Sequence, residues 1–125
     1  MQERPSRGQI EDYCGRKAGA ASGFPFGEGH RVFKVGGKIF AVVGVEGSPA
    51  KVTFKTDREL SPLLRDEYPS VRPARYFDKR YWSTLTCDGT VPDEEVFELL
   101  DTSYDIVLES LRKSDRRAIE GALER

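Results

Sequence analysis

The sequence predicts a two-layer α+β domain, in which an antiparallel sheet of about five strands carries helices on one face. Three observations lead there. Gly36-Gly37 separates two apolar runs, Arg31–Val35 and Lys38–Val45, which is the signature of a two-residue hairpin turn. Lys51-Val52-Thr53-Phe54-Lys55 then alternates polar and apolar residues, extending the hairpin to a three-strand meander. After Pro92-Asp93, Val96, Leu100, Tyr104, Val107, Leu108 and Leu111 recur at helical spacing, giving a long amphipathic helix over 93–111. Hairpins and meanders make antiparallel sheets, and one apolar helix stripe covers one sheet face.

Taken in order, Ile10, Tyr13, Cys14 and Ala18 predict a first helix over 7–18, interrupted by Gly15. Residues 20–29 hold too much Gly and Pro for a regular element and read as a loop with two aromatic anchors, Phe24 and Phe26. The meander follows. Leu60, Leu63 and Leu64 predict a short helix over 59–67, with Ser61-Pro62 in its first turn and Tyr68-Pro69 ending it. Pro73–Phe77 and Tyr81–Cys87 form a second hairpin around Asp78-Lys79-Arg80. Ser114-Asp115 caps a last helix bearing Ile119 and Leu123. The expected order is α-β-β-β-α-β-β-α with a further helix in the tail, all in a single domain spanning 1–125.

Composition excludes several classes. The 125 residues include two Cys and one His, too few for a disulfide scaffold or a four-ligand zinc site. No apolar run reaches the roughly 20 residues of a membrane span, and Met1-Gln2-Glu3-Arg4-Pro5 does not open a secretory signal. The expectation is a reduced cytoplasmic protein with no metal, cofactor or membrane partner. Twenty Lys+Arg against 21 Asp+Glu leave a formal charge of −1, but the charges are segregated. Residues 31–58 carry six basic and two acidic side chains, residues 72–80 four and one, and residues 93–109 seven acidic and no basic one.

Five segments occur in an order that resembles the MmcQ/YjbR family: Phe33–Ala41, Phe54-Lys55-Thr56-Asp57, Lys79-Arg80-Tyr81-Trp82, Gly89–Asp93 and Ser103-Tyr104-Asp105. Tyr13-Cys14 and Phe24-Pro25-Phe26-Gly27 also resemble its N-terminal portion. The likeness runs to Leu111 and leaves the tail 113–125 outside. It implies a small bacterial α+β domain, related in architecture to type III secretion chaperones. It also implies DNA binding, by analogy with a double-wing sheet in a phage transcription factor; that label rests on fold, which does not by itself establish function. The family often has His before the Trp where this chain has Tyr81, so a role for that His does not carry over.

The residues add their own case. Lys51, Thr53 and Lys55 share one face of their strand, Lys34 and Lys38 bracket the first hairpin, and Arg75, Lys79 and Arg80 lie on or beside the second. If both hairpins project to one side, these cations meet a phosphate backbone, with Tyr81 as a stacking or groove residue. Trp82 and Phe77 are expected in the core. The acidic helix reads as a solvated outer face whose charges the protein's own basic segments balance. Ser103-Tyr104-Asp105 sits mid-helix without a base, Cys14 and Cys87 read as buried small hydrophobes, His30 as a surface residue, and the glycines form no phosphate loop. An enzyme is therefore not expected. The leading expectation is a non-enzymatic domain that binds DNA weakly through its basic hairpins. One alternative is a protein-interaction or chaperone-like adaptor, dimeric or paired with another protein, exposing Phe24, Phe26 or Ile39. Another is a small-ligand pocket under the Phe24–Gly27 loop, with Lys38 or Lys55 holding an anion.

Overall fold

The computed structural model describes residues 5–123. Helix α1 (Arg7–Gly15) opens with a capping box: Gln9 N–H donates to the Ser6 hydroxyl and Ser6 N–H to the Gln9 side chain. Strands β1 (Ala20–Gly23), β2 (His30–Val35), β3 (Lys38–Gly44) and β4 (Lys51–Lys55) follow, then α2 (Leu60–Glu67), β5 (Val71–Pro73), β6 (Trp82–Thr86), α3 (Asp93–Glu109) and α4 (Lys113–Leu123). The strands form one six-stranded antiparallel sheet in the order β1-β2-β3-β4-β6-β5.

The α+β class, the meander and the long helix stand as the sequence predicts; the second hairpin forms with its first strand shifted to Val71–Pro73, sharing only Pro73 with the expected 73–77, so that 74–77 lies in the connection to β6. Residues 20–29 do not stay a loop throughout. Ala20–Gly23 pairs with Val32–Val35 as an edge strand, held by backbone hydrogen bonds that its small side chains do not advertise. Helix α1 ends at Gly15 rather than residue 18, its cap falling on Arg16.

Between β2 and β3 the chain turns on Gly36 and Gly37, at φ +57 and +80, the left-handed pair that a two-residue hairpin demands. The register slips at Phe33/Lys34: Phe33 faces Ala41, but Lys34 faces Ile39. This bulge inserts Phe40 as an extra residue on β3 and fixes which way the hairpin's lysines point.

Helices α1, α2 and α3 cover one face of the sheet. Phe33, Ala41, Val43, Val52, Phe54, Leu85 and Val71 lie on that face and meet Ile10, Cys14, Leu64, Val96, Leu100 and Val107 in a continuous core. Each fully buried Phe or Leu contributes about 1.5–3 kcal/mol of transfer free energy. Two α3 side chains bolt the helix to its neighbours. The Ser103 hydroxyl donates to Phe40 O at 2.6 Å and accepts Lys55 N–H at 2.8 Å, joining β3 to β4, and the Tyr104 hydroxyl donates to Ala18 O at 2.5 Å. Cys14 and Cys87 are buried and unbridged, and burial pushes the Cys14 thiol up to about 12.

Of the seven acids on α3, Asp101 is the one that ion-pairs among the described residues, with Lys17, while also accepting from the Tyr13 hydroxyl at 2.7 Å. No ion pair links the other six to a cation among the described residues; three of them occupy the first turn, where the helix dipole favours them. Among the described residues no helix is long and apolar enough to cross a membrane.

A candidate nucleic-acid interface on the helix-free sheet face

Side chains alternate along each strand, so the residues between the core positions form a second face that none of α1–α3 covers. His30, Val32 and Lys34 on β2, Val42 on β3, Lys51, Thr53 and Lys55 on β4, Trp82, Thr84 and Thr86 on β6 and Arg72 on β5 belong to it, as the pairing register requires. Val32 and Val42 are only 1% and 5% exposed there, so this face is not a flat plane open to water. The β1–β2 loop lies over it, closed by a turn from Gly27 N–H to Phe24 O and tied to the end of β3 by Val45 N–H donating to Gly29 O.

The result is a groove of about 870 Å³ across the sheet. Val42, Thr53 and Thr84 floor it, and the two threonine hydroxyls are hydrogen-bonded to each other at 2.8 Å. Phe26 and His30 stand on one side, Arg75, Tyr76 and Phe77 on the other, with Lys51 and Glu46 at the margin. Phe26 is 60% exposed and Tyr76 81%, far beyond what packing asks of aromatic rings. The Arg75 guanidinium lies 5.6 Å from the Tyr76 ring centroid.

Of the predicted cations, Lys51 and Arg75 reach this groove. Lys55 lies on the same face at the other end of β4, its ammonium 5.7 Å from the Tyr81 ring centroid and 5.9 Å from that of Trp82. Arg80 covers the same Tyr81 ring at 5.6 Å and is forked onto Asp78, which holds the Asp78 carboxyl down at about 2. Lys79 folds back onto Arg75 O at 3.2 Å. Lys34 shares the face but lines the neighbouring recess of about 320 Å³ with Phe24 and Pro25. Lys38 is the exception: the bulge turns it to the helix side, where its ammonium reaches Ser110 O and Oγ at the C-terminus of α3, both at 3.3 Å. Neither Lys38 nor Lys55 lines the recess beneath Phe24, so an anion there would meet Lys34 instead.

Trp82 and Phe77 are half-buried rather than core residues; Trp82 stands on the helix-free face and stacks on Phe77 with centroids 4.8 Å apart. Sequence reasoning also missed Arg65 of α2, which holds the second hairpin from behind. Its guanidinium donates to Ser83 Oγ at 3.1 Å, Trp82 O at 2.8 Å and Lys79 O at 2.5 Å. Nothing in an Arg on an eight-residue helix signals a contact 14–18 residues away. Arg72 and His30 were similarly invisible as members of this face, because their strand parity is set only by the pairing. No group of three or more His, Cys, Asp or Glu among the described residues is placed to hold a metal.

A single antiparallel sheet with helices on one face and an aromatic-walled groove on the other defines a two-layer α+β domain. Comparison with known proteins supplies the lineage. The YjbR family model matches residues 16–106, and the chain belongs to the YjbR family. The uncharacterized protein YjbR of Escherichia coli (strain K12) is 36% identical over 112 residues, covering 89% of this chain and 94% of that protein. The uncharacterized protein YbdF of E. coli O157:H7 is 28% identical over 96 residues, or 77% of this chain and 79% of YbdF. Among solved structures, the Deinococcus radiodurans protein DR2400, with a DUF419 domain, superposes with a TM-score of 0.88 at 30% identity over 96% of this chain and 92% of its own. A Pseudomonas syringae protein shares the fold, with a TM-score of 0.69 at 22% identity over 82% of this chain and 98% of its own.

Proposed function

We propose that this YjbR-family domain is a non-enzymatic nucleic-acid-binding module that works through its helix-free sheet face. The observation that carries this reading is the convergence of Lys34, Lys51, Lys55 and Arg75 on that face, beside Arg72 and the Arg80-covered Tyr81 ring. Cations spaced along a surface neutralise successive phosphates, and the counterions they release provide the affinity. Binding is weak and steeply salt-dependent: with about five contacts, log K falls against log salt with a slope of about −3.5 to −4.5. Fluorescence anisotropy with labelled single- and double-stranded oligonucleotides at about 50 mM salt tests it. The expected result is binding that a combined Lys51→Ala, Arg75→Ala variant weakens and Lys38→Ala leaves unchanged, since Lys38 serves α3. No binding of any oligonucleotide at tens of micromolar protein overturns the reading.

A second reading, a protein-interaction adaptor, is favoured by Phe24 at 50% and Phe26 at 60% exposure beside the uncharged edge strand β1. A dimer or complex seen by light scattering, lost on Phe24→Ser, Phe26→Ser substitution, is its expected outcome.

A further inference from the structure

We infer that the occupant of the groove is a single nucleic-acid strand rather than a duplex, with its bases turned in toward the aromatic walls. The inference rests on the nucleic-acid reading above and deepens it.

Shape is the first argument. Three adjacent strands, β3, β4 and β6, make the floor, and at about 4.8 Å between neighbours they span only about 10 Å before the walls rise. The convex cylinder of a duplex would rest on Phe26 and Tyr76 and leave the floor beneath it empty. A single strand, whose bases are free of partners, fits between the walls.

Chemistry is the second. Val42 and the mutually hydrogen-bonded Thr53 and Thr84 make the floor neutral, whereas the charged side chains lie around it, the two cations Lys51 and Arg75 against one carboxylate, Glu46. Phosphates at the margin and bases over the floor match that distribution; a phosphate backbone laid along the floor would meet no cation at its centre.

The rings are the third. Phe26 and Tyr76 project from opposite loops with most of their surface in water. Such rings give every base a face to stack on, whatever its sequence, as on the sheet surfaces of single-strand RNA readers. Tyr76 already carries the Arg75 guanidinium at 5.6 Å, so a base stacked there also has a cation beside its phosphate.

The test is anisotropy on the full chain with equal-length labelled oligothymidylate, oligouridylate and a mixed-sequence duplex, at one salt concentration. The expected result is at least about 10-fold tighter binding of the single strands than of the duplex. A Phe26→Ala, Tyr76→Ala variant, altered only at exposed positions, should lose about 5-fold or more in single-strand affinity for each ring. Its salt slope and its duplex binding stay at wild-type values. DNA and RNA arms that bind alike identify the base and phosphate as the recognised chemistry, and a preference for the RNA arm adds the 2′-hydroxyl. A duplex that binds as tightly as the strands, or a double variant that binds them like wild type, overturns the single-strand inference and leaves nucleic-acid binding standing. If nothing binds, both fall.

Discussion

Arg65→Met isolates the brace behind the second hairpin. Methionine keeps most of the aliphatic stem and removes the guanidinium, which burial already holds below its ordinary range. Three hydrogen bonds go with it. The Ser83 hydroxyl is 0% exposed, so losing its donor strands a buried polar group at a cost of about 1–3 kcal/mol. The carbonyls of Lys79 and Trp82 lie nearer solvent, where water replaces the donor, and together they add about 1 kcal/mol. The expected loss is about 2–4 kcal/mol, which at about 3–5 °C per kcal/mol for a domain of this size lowers Tm by roughly 6–20 °C. Urea unfolding monitored by Trp82 fluorescence measures it directly, because the indole borders the braced segment. Adding Ser83→Ala to Arg65→Met removes the stranded hydroxyl, so the pair should cost less than the sum of the single changes by about 1 kcal/mol. A loss below about 0.5 kcal/mol for Arg65→Met, or additivity in the cycle, would refute the reasoning.

The turn and the α1–α3 junction offer two further tests. At Gly36 a Cβ would lie 2.5 Å from a Leu111 methyl while φ stands at +57, so Gly36→Ala should destabilise by about 2–4 kcal/mol in chemical denaturation; Gly37→Ala, with φ +80 but open space around it, should cost only the backbone part. The hydrogen bond to Asp101 raises the Tyr13 hydroxyl from 10.0 to about 12, with burial adding to the shift. Its folded value lies above its unfolded one, so this contribution is whole below about pH 10 and is lost as pH climbs toward about 12. Tyr13→Phe should therefore lower stability at neutral pH and flatten its decline above about pH 10, as unfolding curves across that range would show.

How much of this was legible in the sequence depends on where each signal resides. Gly36-Gly37 and the alternation at Lys51–Lys55 are local and chemically explicit, so the meander and the shared face of Lys51 and Lys55 could be read directly. Strand β1 could not, because Ala20-Ala21-Ser22-Gly23 carries no apolar pattern and owes its place to backbone pairing at a sheet edge. Lys38 was misplaced by a single inserted residue: the bulge at Phe33/Lys34 reverses its parity, and side-chain period 2 makes any slip a change of face. The aromatics of the second hairpin were visible as a group, but no spacing distinguishes the stacked, half-buried Phe77 and Trp82 from the exposed Tyr76. The groove itself joins loops 50 residues apart in sequence, Phe26 to Tyr76, and arises only when the β1–β2 loop is laid back across the sheet.

The separation of charge between the two layers has a kinetic consequence. On α3, Glu94, Glu98, Asp105 and Glu109 are exposed on the helical side, while Lys51, Lys55, Arg72 and Arg75 belong to the opposite surface. The net charge of −1 thus conceals groups of opposite sign on opposite surfaces. If a polyanion is the partner, the monopole is nearly indifferent to its field, and these separated charges favour an approach with the cationic surface forward and the acidic helix away. This orientation acts over about one Debye length, some 10 Å at 0.1 M salt. On the nucleic-acid reading proposed above, the acids of α3 select among approach geometries by disfavouring the helix-first encounter.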